Sequence, residues 1–111
     1  PKVWTDCFEV GGMFHEGGTE NRGLTRSQME ELFPTYEIPE DVCDRGWYQL
    51  NGKETLEQAC KRVAETSSRL REMACAADRP NGTLLLLTHH DHIDLLLQAL
   101  LIGAASRLGV F

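Results

Sequence analysis

The sequence predicts an α/β fold, a three-layer α/β/α sandwich in which helices cover a parallel sheet on both faces. Two observations lead to this prediction. A long amphipathic pattern covers residues 54–77, and an apolar run at residues 83–88 follows it and ends in a polar tip before another helical stretch. Helix, turn, apolar strand and helix in series are the components of such a sandwich. We expect one domain over residues 1–111, and an incomplete one.

The first half of the chain contains weaker signals. Residues 2–10 alternate weakly and include β-branched and aromatic side chains, which predicts a short strand or an extended entry into a loop. Residues 11–24 contain five glycines, so we expect a flexible connection whose backbone can approach a ligand closely. Residues 34–53 show no periodicity, and we predict irregular structure there.

A short helix is predicted between these segments, over residues 26–33. Thr25 precedes it and Gln28 follows three residues later, which is the capping-box arrangement. Pro34 ends it, because proline cannot continue a helix.

The long helix is predicted from the spacing of its apolar residues between positions 54 and 77. These residues recur every three or four positions and define one face: Leu56, Cys60, Val63, Ser67, Leu70 and Ala74. Charged residues occupy the other side: Glu57, Lys61, Glu65, Arg69 and Glu72. A turn signal follows at Asp78, Pro80, Asn81 and Gly82.

Four consecutive leucines make residues 83–88 the candidate central strand. A strand without a polar face is typical of one covered by helices on both sides. We expect Asp91 to cap the helix that follows and Gly103 to end it.

Composition excludes several classes of function. The net charge of -6 argues against a nucleic-acid-binding protein, which needs clustered basic residues. The apolar stretch at residues 93–105 is interrupted by polar residues and is shorter than the roughly 20 residues that span a bilayer. We therefore expect a soluble, cytoplasmic protein that neither enters a membrane nor binds nucleic acid.

The four cysteines are expected to be reduced. Cys60 and Cys75 share the long predicted helix, where 15 residues correspond to about 22 Å of rise. A disulfide requires Cα atoms within about 7 Å, so these two cannot pair. The chain also has no CxxC pair, the usual spacing of a structural zinc site.

The polar tip after the leucines is the candidate site. Ligands of open α/β sheets bind beyond the carboxyl ends of the strands, which is where the pattern puts His89. The N-terminus of the next helix offers free amides and a positive dipole end, both suited to phosphate. The alternative is structural: His89, His90 and His92 are turn residues bonded to backbone or water, and Asp91 is an ordinary cap.

The run LLLLTHHDHIDLL at residues 84–96 resembles the second histidine motif of the histidine phosphatase superfamily, which has the phosphoglycerate mutase-like fold. That motif is an apolar strand, Ser or Thr, the active-site histidine, usually Gly, and a leucine-rich helix. The resemblance implies that His89 is a catalytic residue. His90 stands where the family has Gly, and its side chain would reshape the substrate pocket.

A second block, residues 7–12 followed by Gly17, Gly18 and Thr19, is similar to the family's acidic residue before a glycine-containing loop. The resemblance implies that Glu9 is the proton donor and that Gly11, Gly12 and His90 contact the phosphate or the substrate. An exposed loop carboxylate is the alternative for Glu9. Residues 52–55 and Arg62 resemble the Gly-Glu-Ser stretch and helix arginine, and we interpret Arg62 as structural.

The family's nucleophile is a histidine in an Arg-His-Gly motif, and this sequence contains no such triplet. The resemblance therefore implies a phosphatase or phosphomutase that acts on a phosphomonoester through a phosphohistidine formed outside this chain. It implies no cofactor, and a phosphorylated small molecule or phosphoprotein as the partner. We expect the 111-residue chain to show no turnover by itself.

Two alternatives remain open. A family member without activity would bind a phosphorylated ligand or a protein partner with the same fold. A metal-dependent hydrolase is suggested by the cluster of residues 89–92, which is similar to the histidine cluster of metallo-β-lactamase-like enzymes but lacks its spacers.

Overall fold

The computed structural model describes residues 1–13, 21–76 and 82–103. These residues form three helices: α1 (Arg26–Leu32), α2 (Leu56–Cys75) and α3 (His90–Ile102). The chain divides into two compact units, of which the first comprises Pro1–Thr5 and Gly11–Glu54, and the second comprises Asp6–Val10 and the chain from Thr55 onward.

The predicted three-layer α/β/α sandwich is wrong, because the described residues contain helices and no sheet. Only two isolated bridges are found among them, Lys2 with Glu37 and Cys43 with Gly46. The strand predicted at residues 2–10 is reduced to the first of these bridges.

The strand predicted at residues 83–88 is also not formed, for a physical reason. A run of leucines predicts burial, but a strand exists only when a neighbour completes its ladder of N–H and C=O groups. No described residue provides that neighbour, and Leu85 and Leu87 are 81% and 83% exposed. The run of leucines therefore predicted a buried strand, whereas in the described chain these residues form no strand and most of them are exposed.

The first unit is built around α1 and a series of turns. Thr25 and Gln28 form the predicted capping box, which is confirmed, and α1 ends at Leu32. The predicted irregular structure of residues 34–53 is also confirmed, since they form turns, bends and bridges only. The buried side chains of this unit are Met29, Val42, Tyr48 and Glu54.

The second unit has its core between α2 and α3, which pack against each other. Its buried members are Ala59, Val63, Leu95, Leu96 and Ala99, and partly buried residues pack around them: Val10, Cys60, Leu70, Leu86 and Leu100. The long helix is confirmed, with Thr55 and Gln58 forming a second capping box.

Helix α3 begins two residues earlier than predicted, because its N-cap is His89 and Asp91 lies in the first turn. The prediction that Asp91 is the N-cap is therefore wrong. Gly103 ends α3 in the left-handed conformation (φ 80°), as predicted, and its N–H donates to Ala99 O at 3.1 Å. Arg71 of α2 donates to Ala99 O and Leu100 O at 3.0 and 2.7 Å.

The four cysteines are free thiols, and Cys60 and Cys75 lie on the same helix, α2, as predicted. Among the helices in the described part of the chain, none is both long enough and apolar enough to cross a bilayer.

Candidate functional site

The start of α3 lacks the usual local cap. His89 has the extended backbone of an N-cap residue (φ -108°, ψ 165°), but its side chain makes no capping hydrogen bond. The first amides of a helix have no partner within the helix, so an acceptor from elsewhere is needed. The residue that supplies this hydrogen-bond acceptor therefore forms the candidate site together with the start of α3.

Glu9 supplies this acceptor from far away in the sequence. Its Oε1 accepts from the His92 N–H at 3.2 Å, and its Oε2 accepts from the Asp91 N–H at 3.5 Å. Oε1 also accepts from the N–H of Val10 at 2.8 Å. The carboxylate thus lies at the positive end of the α3 dipole, where negative charge is stabilised. The structure brings together two predicted features, Glu9 and the anion-binding helix start.

Arg62 of α2 holds the segment that carries Glu9. Its Nη1 donates to Asp6 O at 2.9 Å and to Phe8 O at 3.1 Å, and the guanidinium lies 3.7 Å above the Phe8 ring. Thr88 adds a bond from its hydroxyl to Cys7 O at 2.6 Å. These contacts agree with the structural interpretation of Arg62.

The same guanidinium determines the state of His92, whose side chain is completely buried. Nη1 of Arg62 lies 2.8 Å from Nδ1 of His92. Because arginine is always a donor, Nδ1 must accept, and a neutral ring then carries its proton on Nε2. His92 is thereby a buried residue of α3, so its interpretation as a turn residue bonded to backbone or water is wrong, and its backbone N–H binds Glu9.

An ion pair extends this contact set along α2. Arg69 Nη2 lies 2.8 Å from Asp6 Oδ1, and the Thr66 hydroxyl lies 3.4 Å from Asp6 Oδ2. Burial and the neighbouring Asp6 carboxylate raise the pKa of the Cys7 thiol to about 12. Cys7 is therefore a neutral, unreactive thiol, two residues before Glu9 of the candidate site.

His89 and His90 are both exposed at this end of α3. His90 Nδ1 lies 2.7 Å from Asp91 Oδ1, and this hydrogen bond raises the pKa of His90. A protonated His90 adds positive charge at the helix start. His89 stands at the N-cap itself, with its imidazole accessible to a solute.

Gly11 and Gly12 belong to the first unit, and their contacts there are structural. The Gly11 N–H donates to Glu54 Oε2 at 3.3 Å, and Gly11 O accepts from the Glu54 N–H at 2.9 Å. A Cβ on Gly12, whose φ is 77°, would collide with the hydroxyl of Tyr48. Close packing explains why this turn needs glycine. Gly17, Gly18 and Thr19 lie outside the described residues.

The metal-hydrolase alternative gains no support from this geometry. The ring of His92 faces Arg62 within the interior, whereas His90 pairs with Asp91 at the surface. In the described ranges, no group of three or more His, Cys, Asp or Glu side chains is placed to hold a metal ion.

The sequence patterns missed Thr66 and Arg69, which face Asp6. Arg62, Thr66 and Arg69 recur at helical spacing, so α2 presents a polar stripe to the segment from Asp6 to Phe8. The sequence does contain this pattern, because Arg62, Thr66 and Arg69 are spaced four and three residues apart. The polar stripe lies next to the apolar face of the same helix.

Comparison with models of known protein families, with curated proteins and with solved structures gives no match.

Proposed function

We propose that this chain forms the phosphate-stabilising half of a phosphatase or phosphomutase that works through a phosphohistidine, with the nucleophilic histidine outside residues 1–111. One observation supports it most: a carboxylate already binds the first amides of α3, beside the exposed imidazole of His89. A position that binds one oxyanion is suited to the oxygens of a phosphoryl group. The substrate would be a phosphomonoester of a small molecule or a protein.

Each group has a distinct role in this scheme. The external histidine attacks phosphorus and the P–O ester bond breaks, while His89 donates a hydrogen bond to a phosphoryl oxygen. The leaving oxygen takes its proton from Glu9, acting as the general acid. Water then cleaves the P–N bond and releases phosphate; in a mutase, a substrate hydroxyl takes the place of water.

To act as a general acid, Glu9 must carry a proton on one of its two oxygens. Both of its oxygens accept hydrogen bonds from backbone amides. A carboxyl that donates a proton has one oxygen carrying hydrogen, so Glu9 must give up an amide contact before it acts. An incoming phosphoryl group would take that place on the amides and free Glu9 beside the leaving oxygen.

The proposed setting is the cytoplasm. Four free thiols, one of them exposed at Cys75, support a reducing compartment.

A titration of the ¹⁵N-labelled chain with inorganic phosphate tests the half-site. We expect chemical-shift changes at the amides of residues 89–92, stronger binding by Glu9→Ala, which vacates the amides, and weaker binding by His89→Ala. Glu65→Ala is the matched control, since Glu65 is an exposed carboxylate on α2. Unperturbed amides at residues 89–92 in both wild type and Glu9→Ala would reject the proposal.

An activity assay tests where the nucleophile lies. The purified 111-residue chain is expected to leave p-nitrophenyl phosphate intact, because the histidine that forms the phosphoenzyme is not in it. Hydrolysis that is lost in His89→Ala would show instead that the chain carries its own nucleophile.

A second function, binding of a phosphorylated ligand without catalysis, is favoured by the same contact of Glu9 with α3. A carboxylate committed to capping suits a binding protein as well as an enzyme. The coding sequence before Pro1 distinguishes the two: an Arg-His-Gly triplet supports catalysis, and its absence supports the binding protein.

A further inference from the structure

Two separate links join Asp6–Val10, which we call the Glu9 segment, to the start of α3. In the first link, Glu9 Oε1 accepts from the His92 N–H at 3.2 Å. In the second link, Arg62 Nη1 donates to Phe8 O at 3.1 Å and lies 2.8 Å from Nδ1 of the same His92. Because Phe8 and Glu9 are neighbours in the chain, the two links run side by side between the same partners.

The two links differ in what can break them. Under the proposed function, a phosphoryl oxygen competes with the Glu9 carboxylate for the amides of α3. The acceptors of the second link are a backbone carbonyl and the ring of the completely buried His92, so phosphate has no place to take there. Arginine is not deprotonated in proteins, so its donors are permanent. The second link therefore persists when the first is broken.

The surroundings of Arg62 suit a fixed anchor. Its guanidinium lies 3.7 Å from the centre of the Phe8 ring, and Nη1 also donates to Asp6 O at 2.9 Å. A planar guanidinium can stack on a ring and donate several hydrogen bonds at once, which the ammonium of lysine cannot. Helix α2 carries Arg62 and is itself held in the core by Ala59 and Val63.

We propose that Arg62 is a positioning residue: through its contact with His92, it holds the Glu9 segment against α3 while the Glu9 carboxylate leaves the amides. The inference rests on the proposed function, in which phosphate displaces that carboxylate. With the backbone of Phe8 held, Glu9 leaves the amides by rotation about its side-chain bonds alone, and its carboxyl stays near the leaving oxygen. Such placement matters, because a shift of about 1 Å can cost about 100-fold in rate.

Two further contacts hold the beginning of the Glu9 segment. Arg69 Nη2 lies 2.8 Å from Asp6 Oδ1, and the Thr88 hydroxyl donates to Cys7 O at 2.6 Å. Asp6 and Cys7 lie three and two residues before Glu9, whereas Arg62 binds the residue directly before it. Arg69 is therefore a matched control for Arg62, since it lies on the same helix, carries the same charge and binds the same segment.

Backbone order parameters from ¹⁵N relaxation test the two links without phosphate. Values of about 0.85 indicate a rigid backbone, and values below about 0.6 a flexible one. At Phe8 and Glu9 we expect the rigid value in wild type, in Glu9→Ala and in Arg62→Met, because at least one link remains in each. The double variant Glu9→Ala/Arg62→Met should fall below about 0.6. Arg69→Met should leave both residues rigid, alone and combined with Glu9→Ala.

Inorganic phosphate then tests the connection with the proposed function. Saturating phosphate should make Phe8 and Glu9 flexible in Arg62→Met, where it breaks the last link, and should leave them rigid in wild type and in Arg69→Met. If phosphate shifts the amides of residues 89–92 in none of these chains, the proposed function fails. The phosphate-free variants still decide the role of Arg62 in that case.

Substitutions at His92 provide a second test, which applies even if Arg62→Met does not fold. His92→Asn keeps an acceptor near the position of Nδ1, whereas His92→Leu removes it. Combined with Glu9→Ala, His92→Leu should make Phe8 and Glu9 flexible, and His92→Asn should keep them rigid. Equal behaviour of these two variants would overturn the proposal.

Two further results in the order parameters would also overturn the role of Arg62. The first is a Glu9 segment that stays rigid in Glu9→Ala/Arg62→Met, or in Arg62→Met saturated with phosphate. The second is a segment that becomes flexible in Arg62→Met alone without phosphate, which would identify Arg62 as a purely structural anchor.

Discussion

Glu9 has two roles that make opposite demands on its side chain. As the cap of α3 it accepts hydrogen bonds from the amides of Asp91 and His92, whereas as a general acid it carries a proton. The structure has it in the first arrangement. The resting site is therefore held together by the same residue that the proposed reaction would release, and replacing Glu9 changes stability even where no substrate is present.

Replacing Glu9 tests its capping role. Glu9→Ala should lower the free energy of unfolding by about 1 kcal/mol, the usual cost of losing a helix cap. Glu9→Gln should cost less, since its amide oxygen still accepts. Urea unfolding followed by circular dichroism measures both, and amide exchange at residues 91 and 92 locates the effect. Equal stability of Glu9→Ala and the control Glu65→Ala would contradict this role.

The Cys7 thiol should respond to pH and to alkylation in a predictable way. Because burial raises its pKa to about 12, the folded chain should react with iodoacetamide at the exposed Cys75 and leave Cys7 unmodified at pH 8. Mass spectrometry of peptides measures this. Labelling in urea, where both react, is the control, and modification of Cys7 at the same rate as Cys75 in the folded chain would contradict its burial.

The same shift gives a sign for stability against pH. An unfolded thiol ionises near its ordinary pKa of 9.0, whereas folded Cys7 keeps its proton to about 12. Between these two pKa values the unfolded state binds fewer protons than the folded state. The contribution of the neutral Cys7 thiol to the free energy of unfolding is therefore lost as the pH rises from about 9 to about 12. Cys7→Ser should reduce this loss.

At the scale of elements, α3 is stabilised at both ends by charged side chains from elsewhere in the second unit. Glu9 binds the amides at its start, and Arg71 binds the carbonyls of Ala99 and Leu100 at its end. Both charges oppose the helix dipole and are favourable. The last turn of α3 has no basic residue of its own. Arg71 of α2 therefore provides the positive charge that binds its last carbonyls.

Arg71→Gln should therefore destabilise α3 from its C-terminal end. We expect about 1 kcal/mol, because hydrogen bonds from a charged donor are strong but this one is partly exposed to solvent. Urea midpoints and amide exchange over the last turn of α3 are the measurements. Lys61→Gln removes an exposed charge from the same helix and should have little effect; a comparable loss in Lys61→Gln would indicate a general charge effect instead.

The helices were predictable from the sequence and the contacts between distant residues were not. Thr25 with Gln28, and Gly103, act within a few residues, so local patterns place them. Glu9 meets α3 across more than 80 residues, and no period in the sequence links them. The leucines at residues 84–87 predicted a buried strand, which is wrong, because a strand forms only where a neighbour pairs with it and the described chain provides none.

The whole molecule combines two features that act against each other in solution. Its net charge of -6 opposes association of copies near neutral pH, while Leu84, Leu85, Leu87 and the outer side of α3 expose apolar side chains to water. We therefore expect copies of the chain to associate at a pH where its net charge is close to zero.

Lowering the pH should therefore drive the chain into larger assemblies. His90, whose pKa is raised by its hydrogen bond to Asp91, gains its charge early, and the carboxylates follow, so the net charge vanishes near the pI of about 5.1. Light scattering should peak there and fall again at lower pH, where the chain is positive. Because Leu85 and Leu87 are 81% and 83% exposed, Leu85→Ser/Leu87→Ser should lower the peak more than Leu101→Ser, which removes one exposed leucine. A clear solution near pH 5, or equal effects of these variants, would show that Leu85 and Leu87 do not govern self-association.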